Sequence, residues 1–308
     1  MRHIFWSFSN TLLNRGFSTV FTVILGNLLL PDTLGSYVAL LLLVNYVGTL
    51  ACIQTGDALV YKLNAVAPEE KPRYFAAGWL TVTLMAVGVS CIASYFQAPL
   101  AAVFGLAEKA DLVYFCLPLV ILKTNRLFLN KVMHADLRLR AEAGVNVAAA
   151  LLQITVGLAL LYAGYQVRGA MTAVYCGDAL AIVVLAVLCL KKVGVAFRDY
   201  AISAKEILAF SFYTHLSKAA IFLGRNIDIL FVSYLLTREK LASYNYAVKF
   251  SLLLLMLGNS VSRVTFSKLA TAFTVEDDTT VNRIYRFSLN FSFFLLKICK
   301  CTTGCNTL

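Results

Sequence analysis

Charge is scarce in this chain, and acid is scarcer than base. Only 14% of the residues are charged, with 16 Asp and Glu against 27 Lys and Arg. Water-soluble domains carry about a quarter charged residues, so a soluble globular fold is excluded. Three histidines, His3, His134 and His215, stand far apart, which removes the usual partners of a metal centre. Five prolines in 308 residues leave long apolar runs without interruption. Short connections with few acids offer neither a paired-carboxylate nor a histidine site for general acid–base chemistry. The sequence therefore reads as a non-enzyme and calls for no cofactor.

What fills the chain is apolar: 60% of residues are hydrophobic and the mean hydropathy is +0.76. Runs of about 20 apolar residues fit the bilayer core. Nine fall near 4–30, 36–60, 74–96, 111–133, 142–164, 169–190, 206–231, 241–266 and 284–298. The chain is predicted to be an all-α polytopic membrane protein with about nine transmembrane helices. The opening run is too long for a cleaved signal segment and reads as a retained helix. The net charge of +11 sits in short connections rather than on a face with interleaved aromatics, so nucleic acid is not the partner. Connections on one side hold sixteen Lys and Arg, among them Lys62, Lys71, Arg126, Lys191 and Lys192; the alternate ones hold Lys109, Arg168, Arg238 and Lys240. That bias places the N-terminus of this multi-pass chain in the cytoplasm.

Two of the spans carry polar stripes. In the seventh, Ser211, Thr214, Lys218 and Arg225 fall within an arc of about 60° on one helix face, with Asp228 on its edge. A charged side chain at mid-membrane costs roughly 3 kcal/mol, so such residues face a partner or a water-filled cavity. Two readings stay open here: Arg225 and Asp228, at i and i+3, form an ion pair between helices, or the stripe lines a path for an anionic substrate. The first span repeats the theme with Ser7, Asn10, Thr11, Asn14, Arg15, Ser18 and Thr22. Helix contact through Asn14 and Ser18 is the plain alternative there.

The stripes are in register with one another. Adding 207 to the first places Ser7 on Thr214, Thr11 on Lys218 and Ser18 on Arg225, without gaps. The same shift carries Leu34-Gly35-Ser36-Tyr37 onto Leu241-Ala242-Ser243-Tyr244. This is a parallel repeat of a six-span unit, a pattern common in transporters. It divides the chain into a six-helix N-terminal lobe, 1–190, and a partial C-terminal lobe, 191–308, holding spans seven to nine.

Pro31-Asp32-Thr33-Leu34-Gly35-Ser36-Tyr37 after an opening helix resembles a motif of the polysaccharide-biosynthesis, O-antigen flippase family. Arg225-Asn226-Ile227-Asp228-Ile229-Leu230, followed by Leu241-Ala242-Ser243-Tyr244-Asn245-Tyr246-Ala247, is similar to the opening of that family's second half. The family belongs to the superfamily of multidrug exporters, oligosaccharidyl-lipid and polysaccharide flippases. The resemblance implies two six-helix lobes around a central cavity that opens alternately to either side. It implies a flippase that moves an undecaprenyl-pyrophosphate-linked oligosaccharide from the cytoplasmic to the outer leaflet, with a polysaccharide polymerase as a partner in the same pathway. By matching position it implies that Arg15, Lys218, Arg225 and Lys249 face the pyrophosphate, with Asn14 and Asp228 beside them. Family members have twelve or more spans, so this chain reads as truncated in its second lobe.

Asp178, deep in the sixth span, is a candidate site for a coupling ion, and Asp57 is expected to pair with Lys62. Cys299, Cys301 and Cys305 crowd the tail without a fourth ligand, so no metal site is read there. A cation or drug antiporter of the same superfamily is the nearest rival reading, but it would want acids rather than bases in its cavity. A membrane polysaccharide polymerase or glycosyltransferase would want a long ordered loop, and none is present. The charge bias makes a direct prediction. In a cysteine-free background, a cysteine at Ala102 should be labelled by an impermeant thiol reagent and one at Glu70 spared; the reverse pattern would overturn the map.

Overall fold

The computed structural model describes residues 2–52, 55–135, 138–197, 200–252 and 286. Every regular element among them is helical. The helices are α1 (Arg2–Leu28), α2 (Pro31–Cys52), α3 (Thr55–Ala65), α4 (Lys71–Tyr95), α5 (Gln97–Val103), α6 (Ala110–Cys116), α7 (Pro118–Ala135), α8 (Leu139–Tyr162), α9 (Gln166–Val193) and α10 (Tyr200–Leu235). Helical backbone resumes at 238. Five of these helical stretches are long and apolar enough to cross a membrane, and six if the bent pair α6–α7 counts as one span. The chain is an all-α polytopic membrane protein. The tail cysteines and the ninth expected span, apart from Arg286, lie outside the described residues, as does most of the eighth.

Local chemistry explains the helix ends. Pro31 opens α2, where its missing N–H costs nothing, and Asp32 in the first turn complements the helix dipole. α9 closes with Lys191 and Lys192 in its last turn and with Gly194 at φ 79°, whose N–H reaches the Leu190 carbonyl at 3.1 Å. The fourth expected span is broken at Pro118, which bends it by 44°. From α4, Ser90 donates across that break to the Leu117 carbonyl at 3.4 Å.

Two compact units are present, Met1–Tyr246 and Ala247–Leu308. Inside the first, α8 and α9 pack through small residues, the usual device where lipid supplies no hydrophobic drive. A Cβ at Gly177 would sit 3.0 Å from the Ala149 carbonyl oxygen, so a larger residue would press the two helices apart by a few tenths of an ångström. α10 packs along α2, α3 and α4.

The expected repeat is visible in the helix breaks. α1 ends at Leu28 and α2 begins at Pro31; α10 ends at Leu235 and helix resumes at 238. Both breaks are related by the same shift of 207. The two turns also meet. Gly35 of α2 faces the Arg238 carbonyl so closely that a Cβ there would lie 2.0 Å from its oxygen. Tyr246 donates to the Thr22 carbonyl at 2.9 Å, and its hydroxyl fills the place a Cβ on Gly26 would take. Gly35→Val should therefore lower stability by about 1–3 kcal/mol through overpacking. Thermal unfolding in detergent checks it, and an unchanged midpoint would show that the turns do not press together.

Candidate functional site

Three groups of charges lie within the first unit, and each is answered differently. At one end of α10, Glu206 accepts from Lys62 at 2.6 Å and from the Tyr74 hydroxyl at 2.8 Å. That carboxylate holds the Lys62 ammonium above the ordinary lysine range. Further along, Asp57 of α3 is shared between Lys131 of α7, at 2.7 Å, and Lys218 of α10. Asp57 and Lys62 do not pair, because five residues apart on a helix they point about 140° away from each other. The Tyr61 and Phe210 rings stack at 5.1 Å, and Tyr46 donates to the Asn226 carbonyl at 2.7 Å.

At the other end, Arg238 binds Asp32 at 2.7 Å and Glu108 at 3.2 Å. Lys109 reaches the same Asp32 at 3.1 Å and the Ser36 hydroxyl at 2.9 Å. An open pocket of about 560 Å³ lies over this cluster, lined by Asp32, Glu108, Thr237, Arg238 and Glu239 among others. α10 is thus clasped to α2–α3 by ion clusters at both of its ends. At 1.5 Å per residue its 36 residues span about 54 Å, longer than the roughly 30 Å hydrocarbon core.

Between those clasps, α10 carries its stripe. Arg225 is exposed and has no hydrogen bond or ion pair with any described residue. Asp228, its expected partner, instead accepts from the Tyr244 hydroxyl. The repeat explains the choice: positions 228 and 244 correspond to Phe21 and Tyr37, whose rings meet edge to face at 6.4 Å. The same pairing of helix and following helix is apolar in one copy and polar in the other. Of the remaining expected residues, Asn14 and Arg15 lie on α1, with side chains outside the described residues. Lys249 belongs to the second unit, so the structure brings Lys218, Arg225 and Asp228 onto one helix without adding the other three.

The third group was not legible as a site from the sequence. Arg126, expected in a cytoplasmic connection, lies within α7 and binds Asp178 of α9 at 2.5 Å and Asn146 of α8 at 2.8 Å. Lys123, one turn earlier, donates to Asn45 of α2 at 2.5 Å. The available signal was the pairing of opposite charges, Arg126 and Asp178, in two separate apolar runs. Because the Asp178 side chain is 7% exposed and that of Arg126 20%, breaking the pair is costly. Asp178→Asn alone should destabilise the protein by about 3 kcal/mol or more, since it strands a cation. Arg126→Gln combined with Asp178→Asn should cost less than the two single changes added together. Chemical or thermal unfolding of the four proteins checks this, and strict additivity would contradict the pairing.

Residues 24–297 match a family described as polysaccharide biosynthesis protein. No curated protein and no solved structure gives a significant match. The match spans most of the chain and includes α2, with its Pro31-Asp32 opening, and the whole of α10 with its stripe and both clasps. The chain belongs to the polysaccharide biosynthesis protein family.

Proposed function

We propose that this protein is a flippase that carries a lipid-linked oligosaccharide, headed by a polyprenyl diphosphate, across a bacterial inner membrane. The observation that carries the reading is Arg225, an exposed cation in an apolar helix with no partner among the described residues. A cation at membrane depth requires an anion, and the product class of the family supplies one in the diphosphate of its lipid carrier. Lys218 lies two turns earlier on the same face and extends the cationic path, although Asp57 already shares its charge. The protein performs no bond chemistry on the glycan in this account.

Movement follows from the two clasps of α10. In an alternating-access cycle the Lys62–Glu206 and Asp57–Lys131–Lys218 contacts part when the path opens to one side. The Asp32–Arg238–Glu108 contacts part when it opens to the other. The basic connections at the Glu206 end, with Lys71, Arg73, Lys191 and Lys192, favour a cytoplasmic position for that end.

The test is transport of a fluorescent polyprenyl-diphosphate glycan into proteoliposomes by the full chain. Arg225→Gln should reduce the rate about tenfold or more, the loss expected when a charge-assisted hydrogen bond disappears. Arg225→Lys should fall between, because it keeps the charge and loses the planar fork. Arg225→Gln at wild-type rate and wild-type expression would remove the role assigned to this residue.

A further inference from the structure

A second cavity, of about 200 Å³, lies inside the first unit and takes no lining residue from α10. Its polar lining is Ser18 of α1, Tyr37 of α2, Lys123 and Arg126 of α7, Gln153 of α8 and Asp178 of α9. Two cations face one carboxylate, so these residues carry a net charge of one positive unit. The carboxylate is already engaged by Arg126 at 2.5 Å. Lys123 has only the neutral Asn45 amide oxygen as a hydrogen-bond partner, which leaves two of its three N–H donors for the cavity.

Other donors point the same way. Tyr37 is 2% exposed, lines the cavity, and its hydroxyl makes no hydrogen bond with a described residue. Its ring is held edge-on against Phe21, so the hydroxyl has little freedom to turn elsewhere. The Gln153 amide also lines the cavity without a hydrogen-bond partner among the described residues. Donors in this condition beside a lysine ammonium are available to a ligand that enters the cavity. A cation would not: at Asp178 it would sit beside both Lys123 and Arg126, with the carboxylate already taken. The charge excess and the free donors both ask for an anion. The volume fits a halide or a single oxyanion and excludes a glycan.

We propose that this cavity binds one small inorganic anion, held by the Lys123 ammonium and completed by the Tyr37 hydroxyl and the Gln153 amide. Occupancy brings the charge of the lining and its ligand to zero, or below zero for a multivalent oxyanion, and satisfies the donors together. The site is separate from the α10 path and stands whether or not the protein moves a lipid.

The experiment uses the full chain in lipid nanodiscs in gluconate buffer, with thermal unfolding followed by tryptophan fluorescence. Gluconate is replaced stepwise by chloride in one series and by phosphate in another, at constant ionic strength. A saturable rise in the unfolding midpoint is expected in at least one series, and the series that responds identifies the ion. Lys123→Met should abolish the rise, and Tyr37→Phe, which keeps the ring, should raise the half-saturating concentration about tenfold. A wild-type protein that shows no saturable rise in either series overturns the proposal. So does a rise with unchanged half-saturation in Tyr37→Phe, which also decides the matter if Lys123→Met does not fold.

Discussion

Bringing a charged side chain into a bilayer costs several kcal/mol unless another group answers it. The arrangement of this protein follows from how each charge is answered. Glu206 meets Lys62, Asp57 meets Lys131 and Lys218, Asp32 meets Arg238 and Lys109, and Asp178 meets Arg126. Acids are few and those four are each engaged by a cation, so the cations left over are conspicuous. Arg225 and Lys123 are among those that lack a carboxylate among the described residues. One lies on the exposed face of α10 and the other lines a cavity of the first unit. The ligands proposed for them differ: a lipid diphosphate for Arg225 and a small inorganic anion for Lys123.

The repeat gives the same sequence pattern two uses. A shift of 207 relates the helix break after Leu28 to the break after Leu235, and the Phe21–Tyr37 contact to the Asp228–Tyr244 contact. In the first copy the tyrosine hydroxyl is turned into the anion cavity. In the second it satisfies Asp228, and Arg225 has no partner among the described residues. Replacing one aromatic by one acid at the equivalent position therefore changes which charges are available on α10.

Much of this was legible from the residues alone. Long apolar runs place the helices because bilayer thickness fixes their length, and the polar stripe of α10 keeps to one helix face because 100° per residue is a fixed geometry. The shift of 207 holds because a repeat keeps its register at the turns. Partner choice was not legible. Asp57 and Lys62 are neighbours in sequence, yet their directions on the helix send one to α7 and α10 and the other to Glu206. Arg126 looked like part of a basic connection, since its partners Asp178 and Asn146 lie 52 and 20 residues away. The bend at Pro118, which sets α7 against α2 and α9, is marked in sequence by a proline whose consequence depends on what packs around it.

The central claim is that an unanswered cation on α10 receives a lipid diphosphate, and binding tests it more directly than transport. Native mass spectrometry of the full chain with a polyprenyl diphosphate and with the corresponding uncharged polyprenol would measure it. The account predicts one bound diphosphate lipid on the wild-type protein, its loss in Arg225→Gln, and no retention of the polyprenol by either. Equal occupancy of the diphosphate lipid on wild-type and Arg225→Gln protein would contradict it.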